Sequence, residues 1–445
     1  MTSRRRLLQA MLALGSTLLP RSVLPSIKSG AWRNWSGHLV AYPASRFSPG
    51  SEGELADWLK TSNGSIRPVG AGHSFSPLVP TDGHLVIVDR LSGLVVHDPE
   101  NYRAEVYAGS RLSDLGQPLD EVGQAMPNLP DIDHQTVAGA IATSTHGTGR
   151  ELQSMSGYIR GLTVVTPRGE VLELGQGDDR LAAAAVSMGS LGVVTRVTFQ
   201  NRAPFRLRTR TWVEETTAVL DKFNAYCDEW QHFEMFPLLH SDYSLVVAHQ
   251  ETDKALQAAP VNEDDGAVLQ LIEATPVPFR GALINGLASQ IEPSEAVQPS
   301  WQALTNLRFD RFNEMEYSVP AEVGGDCLLE ILKAVKDHSI DVVIPLEYRI
   351  IEADDTWLSM YSGSRRVSIS VHRKFDASFD QLFNLVEPIF WKYDGRPHWG
   401  KVHSLDYWQL KALYPKFNEF VQLRKELDPE GRMLNPHLRE LFGAA

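Results

Sequence analysis

The chain has 445 residues, with 42 Lys and Arg against 55 Asp and Glu, so its formal net charge is −13. A hydrophobic content of 43% and a charged content of 22% are typical of a globular protein of two or three domains, and exclude disorder and collagen-like repeats. The acidic balance argues against duplex nucleic acid or anionic lipid as the main partner, because both require a basic surface. Two cysteines, Cys227 and Cys327, cannot form a Cys-x-x-Cys motif. We expect two unrelated thiols, with one disulfide in an oxidising compartment as the alternative.

The first 31 residues have the composition of a leader. Arg4, Arg5 and Arg6 precede an apolar run over residues 10–19. This run is too short to span a bilayer, which requires about 20 residues, and the pattern resembles a twin-arginine export signal. We therefore predict a leader over residues 1–31 and a periplasmic or secreted mature chain without a membrane span. A cytoplasmic protein with a basic leader, or an uncleaved anchor, is the alternative.

From residue 32 onward, the pattern is one of alternating strands and helices. Ser51 and Glu54 form a capping pattern that begins a predicted helix, with Leu55, Trp58 and Leu59 on its buried face and a stop at Asn63-Gly64. The next predicted elements are strands over 66–69, 85–88 and 104–107, a helix over 113–122, a hairpin over 159–166 and 171–174, and a strand over 193–199. After about residue 200, amphipathic helices alternate with long strands. Residues 254–300 are rich in Pro, Ala and acidic residues and are predicted to be loops with short helices.

A glycine-containing loop follows the predicted strand over 66–69. Its sequence is Val69-Gly70-Ala71-Gly72-His73-Ser74-Phe75. The two glycines allow consecutive N–H groups to turn inward and form a nest that can bind a pyrophosphate. The loop lacks the following helix and the spacing of a dinucleotide-binding Rossmann motif, and a plain tight turn is the alternative.

Two further segments are rich in small residues. The first segment spans residues 131–149, and its part from Thr136 to Gly149 is a helix-length stretch of small residues. The second segment runs from Ser187 to Thr195. Small residues permit a close approach of the backbone, and Ser and Thr hydroxyls can bind phosphate or other polar atoms. The alternative is a packing turn made of small residues.

Together these three segments resemble the FAD domain of the vanillyl-alcohol-oxidase-type (VAO/PCMH-type) flavoproteins over about residues 40–200. In sugar-oxidising members, the histidine of Gly-x-Gly-His-Ser is often bonded to the flavin C8 methyl group, and His73 occupies that position. The resemblance therefore implies FAD, covalently bound through His73, with a histidine that only contacts the flavin as the alternative. The implied cofactor-binding residues are Val69, Gly70, Ala71, Gly72, His73, Ser74, Phe75, Asp131, Gly139, Ala140, Thr143, Thr145, His146, Gly147, Gly192 and Val194.

Two predicted strands in the C-terminal part carry polar residues on one face. In the strand over 347–351, the period of two places Glu347 and Arg349 on the same face. In the strand over 365–372, Ser368, Ser370 and His372 share a face. Such faces suit a cavity wall lined with hydrogen-bonding groups. The alternative is a solvated face with one Glu–Arg pair, worth about 0.2–1 kcal/mol.

The string His398-Trp399-Gly400-Lys401, which follows the Glu-x-Arg strand, extends the resemblance to most of residues 32–445. It resembles the C-terminal domain of the aldonolactone oxidoreductases and of the related alditol oxidases. The resemblance implies Glu347, Arg349 and Lys401 as catalytic residues, the first two at the reacting hydroxyls and Lys401 near flavin N1. It implies Thr148, Ser370, His372 and His398 as substrate-binding residues, and we expect no metal.

The implied protein is a two-domain α+β flavoprotein. Its predicted parts are the leader over 1–31, an FAD-binding domain over 32–201, a substrate-capping domain with an antiparallel sheet and helices over 202–412, and a segment over 413–445 that returns to the FAD domain. The implied reaction is oxidation of a hydroxyl of a sugar-1,4-lactone of the L-gulono, D-arabinono or L-galactono type by hydride transfer to flavin N5, with oxygen, a quinone or a cytochrome as electron acceptor. An alditol oxidase acting on xylitol or sorbitol is the alternative in the same class. A non-catalytic exported sugar-binding flavoprotein is the alternative in a different class.

Overall fold

The computed structural model describes residues 30–258, 265–288, 290–306 and 311–444. Nearly all of the predicted leader lies outside these residues, and no helix among them is long and apolar enough to cross a membrane. The strands of the described residues are β1 Trp32–Arg33, β2 Val40–Ala41, β3 Ser45–Phe47, β4 Ile66–Val69, β5 His84–Ile87, β6 Leu94–Asp98, β7 Arg103–Tyr107, β8 Ile159–Val165, β9 Val171–Gly175, β10 Val193–Gln200, β11 Arg206–Glu215, β12 His232–Pro237, β13 Tyr243–Glu251, β14 Ser294–Pro299, β15 Phe312–Pro320, β16 Glu347–Ile351, β17 Arg366–Lys374 and β18 Arg396–Pro397. Their α-helices are Glu52–Thr61, Gly116–Glu121, Val137–Ala142, Asp179–Ala184, Thr216–Asp221, Phe223–Glu229, Asp265–Ala274, Val277–Ala288, Ser300–Ala303, Gly324–Asp337, Asp380–Lys392, Tyr407–Leu413, Phe417–Leu427 and Pro436–Leu441.

The N-terminal half contains a parallel sheet with the order β3-β5-β4 and an antiparallel sheet with the order β6-β7-β10-β8-β9. The helix Glu52–Thr61 begins where the capping pattern predicts, because the Ser51 side chain accepts a hydrogen bond from the Glu54 N–H. Leu55 and Leu59 are fully buried. Trp58 is only half-buried and stacks on Phe47, with the ring centroids 4.7 Å apart.

The helix predicted over 113–122 is shorter than expected. A 3₁₀ turn occupies Leu112–Asp114, and the α-helix runs only from Gly116 to Glu121. Pro118 has no N–H to donate and fits only in the first turn of a helix, so the α-helix starts just before it. The run of small residues after Thr136 likewise contains a helix of only six residues, Val137–Ala142.

The C-terminal half is built on an eight-stranded antiparallel sheet with the order β14-β11-β13-β12-β16-β17-β15-β18. The predicted strand over 347–351 is β16, which lies between β12 and β17. Tyr348 and Ile350 are buried in the main hydrophobic core, which confirms the predicted two faces of this strand. The region 254–300 contains, besides two helices, the edge strand β14, which the sequence analysis missed.

The chain passes from one sheet to the other between β10, which ends at Gln200, and β11, which begins at Arg206. The C-terminal segment contacts the N-terminal half. The Ile66 N–H donates to Arg432 O at 2.7 Å, and Asn435 Nδ2 donates to Pro77 O at 2.8 Å. Cys227 and Cys327 are buried free thiols, as the sequence analysis expected.

Candidate active site

A large cavity separates the glycine loop after β4 from the polar face of the eight-stranded sheet. It holds about 1450 Å³ of empty space, including its opening to solvent. The predicted residues that line it are Val69, Gly70, Ala71, Gly72, His73, Ser74, Phe75, Asp131, Gly139, Thr143, Thr145, His146, Gly192, Val194, Glu347, Arg349, His372, His398 and Lys401. The fold therefore brings all three small-residue segments and the C-terminal constellation to one place.

The glycine loop is shaped by close contacts that only glycine permits. A Cβ atom on Gly70 would lie 1.9 Å from Thr136 Oγ1, and Gly72 has a φ of +71°. Thr136 Oγ1 also accepts a hydrogen bond from the Gly139 N–H at 3.4 Å, at the start of the helix Val137–Ala142. The backbone of the first segment thus packs against a side chain of the second beside the cavity. This arrangement fits an extended phosphate-containing cofactor.

The same loop is joined to the turn that carries Lys401. The Phe75 N–H donates to Gly400 O at 2.6 Å, and Ser76 Oγ donates to Trp399 O at 2.5 Å. Direct hydrogen bonds therefore hold together two segments that are more than 300 residues apart in sequence. Lys401 Nζ lies 5.2 Å from the centre of the Phe75 ring.

His73 lines the cavity and stacks on Trp35. The ring centroids are 4.5 Å apart and the planes differ by 22°. Burial, aided by the positive charge of Lys401, lowers the pKa of His73 to about 3. The imidazole is therefore neutral near pH 7, so that one ring nitrogen keeps its lone pair.

Arg349 on β16 is held by two carboxylates. Its Nε donates to Glu234 Oε2 at 2.6 Å, and its second terminal nitrogen lies 2.7 Å from Glu347 Oε1. Burial opposes the charge of Arg349, but Glu234 and Glu347 raise its pKa. Burial, with the repulsion of Glu347, raises the pKa of Glu234 to about 7 although Arg349 favours its charged form. The guanidinium is thus a fixed cation at the cavity wall.

Lys401 pairs with Glu314 on β15, and its Nζ lies 3.9 Å from Glu316 Oε2. Burial alone would raise the pKa of Glu314, but the charge of Lys401, followed by that of His372, lowers it to about 2. Glu316 accepts hydrogen bonds from His146 Nε2 at 2.7 Å and from Ser368 Oγ. A second fixed cation with its counter-charges therefore lines the same cavity.

The sequence analysis missed Glu234, Glu314 and Glu316. Glu314 and Glu316 alternate with the buried residues Met315 and Tyr317 along β15, and this alternation is the signal that could have identified them. Glu234 is a single carboxylate in the buried strand β12, and no local sequence pattern indicates that it pairs with Arg349.

Four predicted residues lie outside the cavity lining. The Thr148 hydroxyl donates to Phe233 O at 2.5 Å, and Ser370 is buried within the sheet opposite Glu347. Ala140 is fully buried in the hydrophobic core. A Cβ on Gly147 would lie 2.2 Å from Asn128 Oδ1, so this glycine serves a close packing contact.

One group of side chains has the composition of a metal site. Ligand atoms of Glu314, Glu347 and His372 all lie within 4.8 Å of one another. The two carboxylates already pair with cations, Glu314 with Lys401 and Glu347 with Arg349.

Two family models and several known proteins match this chain. A model of the family "D-arabinono-1,4-lactone oxidase" matches residues 197–441, and one of the family "FAD binding domain" matches residues 43–175. L-gulono-1,4-lactone dehydrogenase of Mycobacterium tuberculosis is 34% identical over 427 residues, which cover 93% of this chain and 100% of the relative. L-gulonolactone oxidase of Mus musculus is 28% identical, and alditol oxidase of a Streptomyces species is 27% identical. Each of these two alignments covers 93% of this chain and 99% of the relative.

Among solved structures, cholesterol oxidase from B. sterolicum superposes with a TM-score of 0.77 at 15% identity, over 96% of this chain and 100% of that chain. At this identity the likeness concerns the fold alone, and together with the match to the FAD-binding family it confirms the predicted α+β flavoprotein fold. The family match covers more than half of the chain, and the M. tuberculosis relative aligns over nearly all of it. The chain therefore belongs to the D-arabinono-1,4-lactone oxidase family and is an FAD-dependent oxidoreductase acting on CH–OH groups.

Proposed function

We propose that the protein oxidises a hydroxyl group of a sugar-1,4-lactone of the L-gulono, D-arabinono or L-galactono type. The observation that carries the proposal is the Glu347–Arg349 pair, which is held by Glu234 and lines the same cavity as the glycine loop and Lys401. Relatives named as lactone dehydrogenase and lactone oxidase align with nearly the whole chain and support the substrate class.

FAD, when bound, supplies the acceptor for the hydride at N5. Arg349 has its fork fixed at two points, so its remaining N–H groups are available to the reacting oxygen and stabilise the negative charge that develops there. Glu347 accepts a hydrogen bond from a second hydroxyl and orients the substrate. Lys401 would supply a positive charge near flavin N1, where negative charge grows as the flavin is reduced.

The glycine loop and the adjoining small-residue segments would hold the cofactor, and we propose a covalent bond between His73 and the flavin C8 methyl group. The neutral imidazole of His73 supports this bond, because a lone pair is required for it. The stack on Trp35 fixes the ring at the cavity wall. This bond would join a ring nitrogen of His73 to the methyl carbon, and the flavin ring would take up the two electrons and two protons released.

The test of the substrate class is an anaerobic screen with the holoenzyme. Sugar-1,4-lactones are expected to bleach the flavin faster than xylitol or sorbitol at equal concentration. The alditol oxidase among the relatives favours the second candidate, and faster bleaching by an alditol would select it. A sugar that binds without any bleaching would select the non-catalytic sugar-binding protein instead.

The electron acceptor and the location follow as further proposals. We infer that oxygen, a quinone or a cytochrome reoxidises the flavin, and reoxidation with air compared with a dye distinguishes oxygen from the others.

The basic run at Arg4, Arg5 and Arg6 supports export of the folded, FAD-loaded protein. Changing all three to Lys should retain active protein in the cytoplasm, and unchanged periplasmic activity would contradict export.

A further inference from the structure

Besides the groups around Arg349, two buried carboxylates on β15 line the cavity wall. Glu314 and Glu316 lie two residues apart on β15, and only 3% and 4% of their surfaces are exposed. Glu316 is satisfied by His146 and Ser368. Glu314 instead directs one carboxylate oxygen at Lys401, while its other oxygen lies 3.6 Å from His372 Nε2.

Glu314 also holds Lys401 through the backbone. The N–H of Val402, the residue after Lys401, donates to Glu314 O at 2.9 Å, and the His398 N–H donates to Glu316 O at 2.9 Å. The turn that carries Lys401 is therefore attached to β15 on both sides. A lysine has a flexible stem with four rotatable bonds, so the backbone alone does not fix its ammonium group. The Glu314 carboxylate supplies that constraint.

We propose that Glu314 is a positioning residue that fixes the Lys401 ammonium and sets how much positive charge the cavity presents to flavin N1. This inference rests on the proposed placement of Lys401 beside N1. Glu314 keeps its negative charge across the physiological range, since Lys401 and His372 outweigh the effect of burial on its pKa. In a buried site, where screening is weak, this charge offsets much of the positive potential of Lys401.

Replacing the carboxylate by a neutral amide of the same shape separates charge from volume. In Glu314→Gln, Lys401 loses its nearer counter-charge and keeps only Glu316, 3.9 Å away, so the positive potential beside N1 should rise and the flavin midpoint potential should become more positive. Sulfite is a suitable probe, because its sulfur lone pair forms a bond to N5 and the displaced electron pair moves to the N1–C2=O side. The affinity of the flavin for sulfite therefore measures the positive potential near N1, and no substrate is needed.

The experiment is a sulfite titration of the oxidised holoenzyme, followed by the loss of visible flavin absorbance. Glu314→Gln should lower the sulfite Kd about tenfold, and Glu314→Asp, which keeps the charge, should lie much closer to wild type. Glu387→Gln is the matched control, because Glu387 is equally buried but bonds Tyr317 and Ser404 and does not line the cavity. Its sulfite Kd should stay within about twofold of wild type, since it contacts neither Lys401 nor Arg349.

Lys401→Met separates this inference from the proposed function. If Lys401→Met weakens sulfite binding and Glu314→Gln leaves it unchanged, Lys401 lies beside N1 and the positioning role of Glu314 is wrong. If Lys401→Met has no effect on sulfite, the placement of Lys401 is wrong and the inference falls with it. An equal shift in Glu387→Gln would also overturn the inference, since any lost buried carboxylate would then act alike.

Discussion

Arg349 Nε and Glu234 Oε2 are 2.6 Å apart, and the two residues face each other across the adjacent strands β12 and β16. Only 6% of Arg349 and 7% of Glu234 are exposed. The sheet register thus fixes a buried ion pair whose cation reaches the cavity. A charged pair at this depth is costly to bury and costlier to break, and the contact holds the Arg349 side chain in one orientation.

The raised pKa of Glu234 predicts a pH dependence of stability. Its ordinary value is 4.5, and burial with the charge of Glu347 raises it to about 7 in the folded protein. The folded state binds this proton more tightly, so the contribution is present below about pH 4.5 and is lost as the pH rises through about 7. Glu234→Gln removes this titration. From pH 5 to 8 the wild type should therefore lose on the order of 1–3 kcal/mol of unfolding free energy relative to the variant.

Denaturant unfolding at a series of pH values measures this difference. Glu430→Gln, at an exposed position, is the control and should run parallel to wild type throughout. A constant gap between wild type and Glu234→Gln at all pH values would show that the Glu234 carboxyl does not titrate in this range.

Gly70→Ala tests whether the first two small-residue segments need their close contact. The new Cβ would lie 1.9 Å from Thr136 Oγ1, and the Thr136 side chain cannot move away without losing its bond to the Gly139 N–H. We expect weaker FAD binding and a loss of about 1–3 kcal/mol in stability. Gly175→Ala adds a methyl group with nothing within 4 Å and should change neither quantity. Equal FAD affinity in the two variants would refute the contact's role.

His73→Ala tests the covalent bond to the cofactor. Acid-denatured wild type should retain its yellow colour and show flavin fluorescence on a denaturing gel, and the variant should lose both. The exposed His97 is a suitable control, because its replacement by Ala should leave the bond intact. Free FAD in the supernatant of denatured wild type would show that His73 only contacts the flavin.

The sequence predicted those parts of the fold that local patterns encode. The Ser51 cap and the two faces of β16 follow from capping and from a period of two, and both are confirmed. The strand β14 was missed, because it is a polar edge strand with only Ala296 and Val297 buried and depends on pairing with β11. Strand pairing between distant segments cannot be read from either segment alone.

In the candidate site, too, residues marked by a local sequence pattern were predicted, and partners that come from distant segments were missed. Glycine loops and the Glu-x-Arg strand carry local signals, and most of the residues predicted from them line the cavity. The partners Glu234 and Glu314 lie 115 and 87 positions away from Arg349 and Lys401, and only the sheet brings them together. Thr148 and Ser370 were placed by motif, and their assigned role in substrate binding stays a prediction.

The most direct test of the account is the rate of flavin reduction in Arg349→Lys, measured by anaerobic rapid mixing with saturating sugar-1,4-lactone. The lysine keeps the positive charge but cannot hold Glu234, Glu347 and the reacting oxygen together, because it lacks the planar fork. The variant should still fold and bind FAD, since Arg349 lies outside the glycine loops. We predict a reduction rate about 10²-fold below wild type, the size expected for a lost oxyanion donor. Reduction at the wild-type rate would contradict the assignment of this cavity as the site of hydride transfer, and would leave Arg349 as a structural ion pair.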